Sequence, residues 1–241
     1  MDEIRRQITE ELTDSLSGEV RLDDVTTALY ATDGSLYEIK PAAVAFPADT
    51  ADVSTLAAFA SRNAIPVIPR GSGTGIAGGC LGNGIVVDFS RYMNEVISIG
   101  DETVRVQPGI TLAELNRRLR PTGRYFPPDP SNAQTTTIGG MIGVDAAGSH
   151  AFRVGSTRDH LASLQCVLMG GQTLELAREQ VARRFTIRQP EPGNRVAEHA
   201  SRIRGIVPPV PNASLPLVSL TPIMRKADLT ERISALLTEA D

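Results

Sequence analysis

The sequence predicts a mixed α+β fold: two subdomains with a ligand in the cleft between them. Three observations lead there. Residues 41–88 run strand, helix, strand, loop, strand, which is a small α/β unit. Residues 95–176 hold short strands closed by tight turns around one helix. Two stretches rich in glycine and hydroxyl residues, 69–79 and 135–158, leave little room for long regular elements, and together they suggest two walls of one extended site.

The elements follow in chain order. Residues 3–16 read as an amphipathic helix, with Ile4, Ile8, Leu12 and Leu16 on one stripe. Residues 42–46, after Pro41, form a strand. Asp49 or Thr50 caps a helix that runs to Asn63 with Val53, Leu56, Ala57 and Ala60 facing inward. Residues 65–69 and 84–88 are short buried strands on either side of the first glycine stretch. Residues 95–99 and 103–106 pair around Gly100 and Asp101 as a hairpin. Thr111 and Glu114 stand at capping-box spacing and open a helix that Pro121 and Gly123 end. Residues 161–169 are an apolar strand, and Gly170-Gly171 turns it back into 172–176. From Arg178 onward prolines gather and periodicity fades, apart from a last helix expected over 227–237, so this part is expected to pack less well than the body. The chain thus divides into an N-terminal helix and entry segment (1–40), a first subdomain (41–100), a second subdomain (101–177) and a divergent tail (178–241).

Composition narrows the function. The 241 residues are 41% hydrophobic and 22% charged, with a net charge of −4. A nucleic-acid surface announces itself as a basic patch, which this balance does not suggest. No apolar run reaches membrane-spanning length, and the first residues lack the apolar core of a secretion signal, so a cytoplasmic protein is expected. Cys80 and Cys166 are isolated, without a Cys-x-x-Cys pair, so they read as plain thiols and no metal site is expected.

The run from Pro69 to Gly79 is the most informative feature. It follows an apolar strand, and its glycines allow positive φ and close approach of backbone to a ligand. Such a loop turns several N–H groups toward one anion. Gly73, Gly75 and Gly78 match G-x-G-x-x-G, but no helix is read in 79–84, and a Rossmann site needs that helix. No Lys-Ser or Lys-Thr closes the run, so it is not a P-loop either. A phosphate-cradling loop of a third kind remains, with a glycine-rich surface turn as the alternative.

The second stretch supplies more motifs. PPDPS at 127–131, TIGG at 137–140, AGSH at 147–150 and RVGSTRD at 153–159 follow PRGSGTG at 69–75 and VQPG at 106–109. In this order they resemble the flavoproteins of the p-cresol methylhydroxylase and vanillyl-alcohol oxidase type, and within them the D-lactate dehydrogenase and glycolate oxidase branch. Residues 30–37 and Pro41 resemble the entry segment of that branch. The resemblance covers about residues 20–177. It implies the two-subdomain FAD-binding fold, with the flavin in the cleft. It implies that Arg70, Gly71, Ser72, Gly73, Thr74 and Gly75 serve the FAD pyrophosphate. Thr137, Ile138, Gly139 and Gly140 then lie along the flavin ring, with Gly148, Gly155, Pro128 and Asp129 as further contacts. Asp129 reads equally well as a turn residue between prolines. Some relatives bind FAD covalently through a histidine where Thr74 stands, so non-covalent FAD is expected here.

Several positions depart from the family pattern. Asp145 replaces the usual Asn, Ala147 a Gly and Val154 a Tyr; Asp145 would bring negative charge toward the flavin, and Ala147 would crowd it if the position required positive φ. A Gly-Ser-Glu-Gly-Thr-Leu-Gly run and a substrate-capping domain, both usual in the family, are not found, so the chain reads as a fragment, a truncation or one piece of a larger assembly. Of the three histidines, His150 alone lies beside the expected flavin wall. The function expected from the resemblance is the FAD-binding part of an oxidoreductase acting on a 2-hydroxy acid such as D-lactate or glycolate, with an electron acceptor and a separate chain or further domain completing the substrate site. A non-catalytic flavin module and a Rossmann NAD enzyme stay open as alternatives, and no catalytic acid or base is assigned.

Overall fold

The computed structural model describes residues 2–177 and the backbone of two further strands, Leu215–Leu220 and Met224–Arg225. The chain opens with helix α1 (Asp2–Gln7), which widens into a π-helical turn at Ile8–Leu12 and tightens again at Thr13–Ser15. The expected stripe is real: Ile8 and Leu12 are fully buried, with Ile4 and Leu16 packed beside them. Strand β1 (Glu19–Arg21) and helix α2 (Asp24–Leu29) follow.

The first subdomain is built on β2 (Ala43–Phe46), α3 (Thr50–Arg62), β3 (Val67–Arg70) and β4 (Ile85–Asp88). The sheet order is β1-β2-β4-β3, with β4 parallel to both neighbours and β1 antiparallel at the edge. Both faces are covered, so the strands read as unbroken apolar runs. Period two still sorts the side chains. Ala43, Ala45, Ile85 and Val87 join the large core under α3, while Val44, Phe46, Val86 and Ile68 form a smaller cluster with Tyr30. Asp49 caps α3 by accepting from the N–H groups of Ala51 and Asp52 at 2.8 and 3.0 Å. No helix separates β3 from β4, so the glycine run between them is loop throughout and the Rossmann alternative falls.

The second subdomain comprises β5 (Val96–Ile99), β6 (Val104–Val106), α4 (Leu112–Leu119), β7 (Arg124–Tyr125), α5 (Ile138–Gly143), α6 (Ala151–Val154), β8 (Leu161–Val167) and β9 (Thr173–Ala177). Both expected hairpins form, β5–β6 and β8–β9. Strand β5 pairs with β6 and so joins the sheet that also holds β8 and β9. The core of the subdomain joins Val104, Val106, Leu112, Leu115, Leu119, Phe126, Ile138 and Met141. The tip of the β8–β9 hairpin reaches the first subdomain, where Gly171, at φ +80°, lies against Ser54 and Ala58 of α3.

The reading of residues 178–241 as a poorly packed tail needs one correction. Strand β10 (Leu215–Leu220) runs antiparallel between β6 and β8, at the centre of a five-stranded sheet of order β5-β6-β10-β8-β9. Strand β11 (Met224–Arg225) pairs with β7. Pairing partners distant in sequence leave no local period, which is why this strand escapes a reading by periodicity. The expected helix over 227–237 lies outside the described residues.

One buried carboxylate ties the N-terminal segment to the first subdomain. Asp52, on α3, is 3% exposed and accepts the N–H groups of Ser17, Gly18 and Ala48, each at 2.8 Å. Substituting Asp52→Ala would leave three part-buried donors without their shared acceptor. We expect a stability loss of about 3 kcal/mol in urea unfolding followed by circular dichroism; a loss below about 1 kcal/mol would show that water replaces the carboxylate.

Candidate functional site

The site begins where β3 ends. The register Arg70 to Asp88 carries the chain out of the sheet into the run from Gly71 to Gly79. Arg70 is anchored there by its side chain. Its guanidinium lies 5.0 Å over the Tyr30 ring and donates to the carbonyl of Thr32 at 2.9 Å and that of Tyr30 at 3.5 Å. Tyr30 in turn donates to the buried Asp88 carboxylate, and burial together with that bond pushes its hydroxyl well above the ordinary tyrosine value. The Arg70 side chain is therefore spent on holding the entry segment, and what it adds to the site is a fixed loop root.

The entry segment straps the loop from above. Gly34 donates its N–H to the carbonyl of Gly73 at 2.9 Å, and a Cβ on Gly34 would lie 2.9 Å from the carbonyl oxygen of Gly75. Tyr37 packs on Gly78, and Cys80 lies 3.4 Å from Asp33. Burial pushes the half-buried Cys80 thiol up, and Cys166 is buried. Gly73 and Gly78 sit at φ +68° and +71°, the left-handed conformations for which these positions need glycine. Among the described residues, no main-chain N–H from Ser72 to Ala77 donates to a protein acceptor. Gly75 and Gly79 face open space, where an added Cβ would meet nothing.

The second wall meets this loop at one point. A Cβ on Gly71 would fall on Thr137 Oγ1. Thr137 is itself buried, and it caps α5 by accepting from the Gly140 N–H at 3.3 Å. The other first-turn donors of α5 are also committed: Ile138 N–H to Ile110 at 2.9 Å and Gly139 N–H to Pro108 at 2.8 Å. Gly139 lies flush on Pro108, and the Ile138 side chain is in the core. So α5 brings a surface, not donors. Gly140 and Gly143, three apart, share one side of the helix, and a Cβ on Gly143 would meet nothing.

A cleft of about 360 Å³ opens beside the Gly71–Thr137 contact, lined by Ser72, Ser90, Asn94, Thr111, Thr135 and Thr137 among others. Glu95, Glu114 and Arg118 stand along it. Arg117 and Arg118 both hydrogen-bond Glu114 and hold its carboxyl down at about 2. The lining is hydroxyl-rich and joins the two subdomains. The residues after β4 that take part, Ser90, Asn94 and Glu95, carry no sequence signal beyond being polar between two strands.

Behind α5 the wall is clamped by Asp129. Its carboxylate accepts the His150 N–H at 3.2 Å and the Ser149 hydroxyl at 2.9 Å, and it bonds His150 Nδ1. Burial alone would push this carboxyl up, but the bonds from His150 and Ser149 outweigh it and hold the group below its ordinary value. Gly148 lies against Asp129 with no room for a Cβ, and Pro128 is buried beside it. Gly155, at φ +79°, turns the chain into the capping box of Ser156 and Asp159. His160 is 4% exposed and bonds the Val154 carbonyl at 2.6 Å, a structural place; His199 lies outside the described residues.

The departures from the family pattern also find a physical reason. Asp145 sits at φ +49°, a conformation that Asn and Asp tolerate better than most residues. Its carboxylate pairs with Arg158 at 2.7 Å and accepts the Arg158 N–H at 2.9 Å, so it adds no uncompensated charge to the wall. Ala147 does not have positive φ, so its Cβ causes no backbone strain.

Comparison with known proteins now bears on this geometry. A family model described as an FAD binding domain matches residues 41–177, more than half of the chain. The chain belongs to the FAD-binding domain family. FAD is the cofactor this assigns, and the resemblance to the p-cresol methylhydroxylase type stands. Among curated relatives, D-2-hydroxyglutarate dehydrogenase of Pseudomonas putida is 41% identical over 65% of this chain and 16% of its own length. The glycolate oxidase subunit GlcD of Bacillus subtilis is 33% identical over 71% of this chain and 37% of its own. The chain thus spans well under half of either relative. Among solved structures, 4-ethylphenol oxidase from Gulosibacter chungangensis superposes with a TM-score of 0.67 at 18% identity, over 93% of this chain and 42% of that one, which shows the shared fold. Among the described residues no helix is long and apolar enough to cross a membrane.

Two predictions follow from the contact geometry. Gly71→Ala must separate the loop from Thr137, and we expect a loss of about 1–3 kcal/mol of stability in urea unfolding; an unchanged midpoint would mean that the two walls do not touch. The Asp129 clamp depends on a carboxyl whose value is depressed by folding. Its contribution is fully present above the unfolded carboxylate range of about pH 4 and is lost as pH falls through the depressed folded value. The unfolding free energy of Asp129→Asn, from urea titrations at several pH values, should therefore fall less steeply below about pH 4 than that of the unchanged chain.

Proposed function

We propose that this chain is the FAD-binding part of an oxidoreductase acting on a 2-hydroxy acid, and that it holds FAD without a covalent bond. One observation carries the cofactor site: the six successive N–H groups from Ser72 to Ala77, unused by the fold, on a loop whose Gly75 faces open space. A pyrophosphate is a ligand of the right charge for such a row of donors. The hydroxyls of Ser72 and Thr74 stand on the same loop. The glycine side of α5, Gly140 and Gly143, offers a flat ring a place to lie close to backbone, and Thr137 fixes that helix against the loop. Ile138 and Gly139 act by placing α5, since their N–H groups are taken.

Bound FAD supplies an acceptor for the hydride that leaves the Cα of a 2-hydroxy acid. The substrate class rests on the relatives, whose names refer to D-2-hydroxyglutarate and glycolate, both 2-hydroxy acids. An electron acceptor and further protein that completes the substrate site belong to the same proposal. The bond is non-covalent in this reading because the loop carries Thr74 where covalent relatives carry histidine, and a hydroxyl does not form that link.

The sharpest test uses Gly75→Val. An added Cβ here meets no protein atom within 4 Å and needs no positive φ, so thermal unfolding should change little. It does fill the space over the loop, and FAD affinity in a fluorescence titration should fall by at least about tenfold. An unchanged affinity would move the pyrophosphate away from this loop. Acid precipitation of the FAD-loaded chain should leave the yellow colour in the supernatant; colour retained in the pellet would contradict the non-covalent bond.

A further inference from the structure

The cleft beside the Gly71–Thr137 contact has a chemical character opposite to that of the loop it adjoins. Ser72 belongs to both: it lines the cleft, and it is the first of the six residues whose N–H groups the fold leaves unused. Past Ser72 the cleft offers acceptors. The main chain of Glu95 is pinned, its N–H donating to Gln107 Oε1 at 3.0 Å and its carbonyl accepting the Gln107 N–H at 2.9 Å. Its side chain is 64% exposed, and its ion-pair partner among the described residues, Arg118 Nη2, lies 3.9 Å away, beyond hydrogen-bond length. Asn94 donates its amide to the carbonyls of Ser90 and Arg91 at 2.7 and 3.3 Å, so the atom it has left for a ligand is Oδ1, an acceptor. Arg118 is the cation along this lining, and Glu114 holds it at 2.7 Å. A row of donors thus passes directly into a recess of acceptors.

The same contact gives the site two directions. Helix α5 carries Gly143 about 9 Å along its axis from Thr137. No residue of α5 lines the cleft, whose share of this wall is Thr135 and Thr137. The glycine side of α5 and the cleft are therefore separate surfaces that meet at Thr137. FAD has one arm on each side of its pyrophosphate, ribityl and flavin on one and adenosine on the other. With the ring on the glycine side, adenosine is the arm left for the cleft. The chemistry agrees. The polar edge of a flavin presents mostly acceptors, which a carboxylate repels. Adenosine presents donors, its 2′- and 3′-hydroxyls and its 6-amino group. An acidic residue facing a ribose hydroxyl is how dinucleotide sites of a different fold hold the same group. The volume of about 360 Å³ is within the range of small-ligand sites.

We propose that this cleft holds the adenosine half of FAD, with the Glu95 carboxylate accepting from the ribose 2′- and 3′-hydroxyls. This rests on the FAD reading above and adds to it a subsite and a residue. Glu95 belongs to none of the glycine motifs; it reaches the site because the chain leaving β4 passes along the cleft before it enters β5.

The test combines two deletions. One is Glu95→Ala. The other is an FAD analogue whose adenosine carries 2′,3′-dideoxyribose, which keeps both rings and the pyrophosphate and removes the two donors. Both ligands are titrated by flavin fluorescence against the full chain and the variant, with circular dichroism to check the fold. A hydrogen bond to a charged acceptor is worth about tenfold in Kd. We expect the FAD Kd to rise about tenfold in Glu95→Ala, and the Kd of the analogue to exceed that of FAD about tenfold with the unchanged chain. Combining the two should add no further loss, the mark of one shared contact. Glu95→Gln keeps an acceptor and should fall between. An FAD Kd that Glu95→Ala leaves unchanged, an analogue bound as tightly as FAD, or two losses that add would each overturn the proposal. If the variant does not fold, the analogue on the unchanged chain decides. Failure of the unchanged chain to bind FAD at all would instead overturn the FAD reading itself.

Discussion

The cleft depends on a missing methyl group. Gly71 and Thr137 come from different subdomains, and the space that a Cβ would occupy at Gly71 is filled by the Thr137 hydroxyl oxygen. Thr137 is at the same time the cap of α5, so the contact that sets the distance between the walls also starts the helix that forms one of them. Neither wall can shift without the other. A hydroxyl that caps a helix is held in one rotamer by the bond it accepts, which makes it a fixed stop for the loop.

Around that stop the two walls divide the work by where their hydrogen bonds go. The first loop spends carbonyls and a side chain on its supports: Gly73 accepts from Gly34, and Arg70 reaches back to Thr32. Its own N–H groups are left over. Helix α5 is the reverse, with its early N–H groups tied to Pro108, Ile110 and Thr137. A loop with spare donors suits an anion, and a donor-poor glycine face suits a flat, mainly apolar ring. The same accounting explains why G-x-G-x-x-G is misleading here. In a Rossmann site the donors come from a helix start, whereas here they come from a loop that its neighbours hold open.

Much of the fold is written locally. The buried strands around α3, the Asp49 cap, the Thr111 cap and the Gly170-Gly171 turn all rest on residues within a few positions of one another, and all four appear where the sequence predicts them. The order of the glycine motifs marks both walls for the same reason. What is not legible depends on distant partners. Asp52 binds Ser17 and Gly18, Arg70 binds Thr32, Asp129 binds His150, and β10 enters a sheet between strands at 104 and 161. Each involves a residue type that is common in turns or on helices, so nothing in the local sequence separates a clamp from a solvated side chain. The place of β5 in the larger sheet is hidden for the same reason, since a hairpin reveals its own pairing and not the sheet it joins.

The carboxylates of the second wall are compensated from within. An aspartate at 145 would be unfavourable beside an electron-rich ring, but its left-handed backbone brings it to the Arg158 N–H and guanidinium, where the charge is neutralised. The carboxylate of Asp129 is likewise held ionised by donors from Ser149 and His150. Replacing Asn by Asp at position 145 thus costs the site no electrostatics as long as Arg158 is present, and the substitution and its partner form a unit. The His150 imidazole lies exposed, bound through Nδ1 to Asp129. A wall whose carboxylates are compensated from within brings little net charge to the cleft beside it.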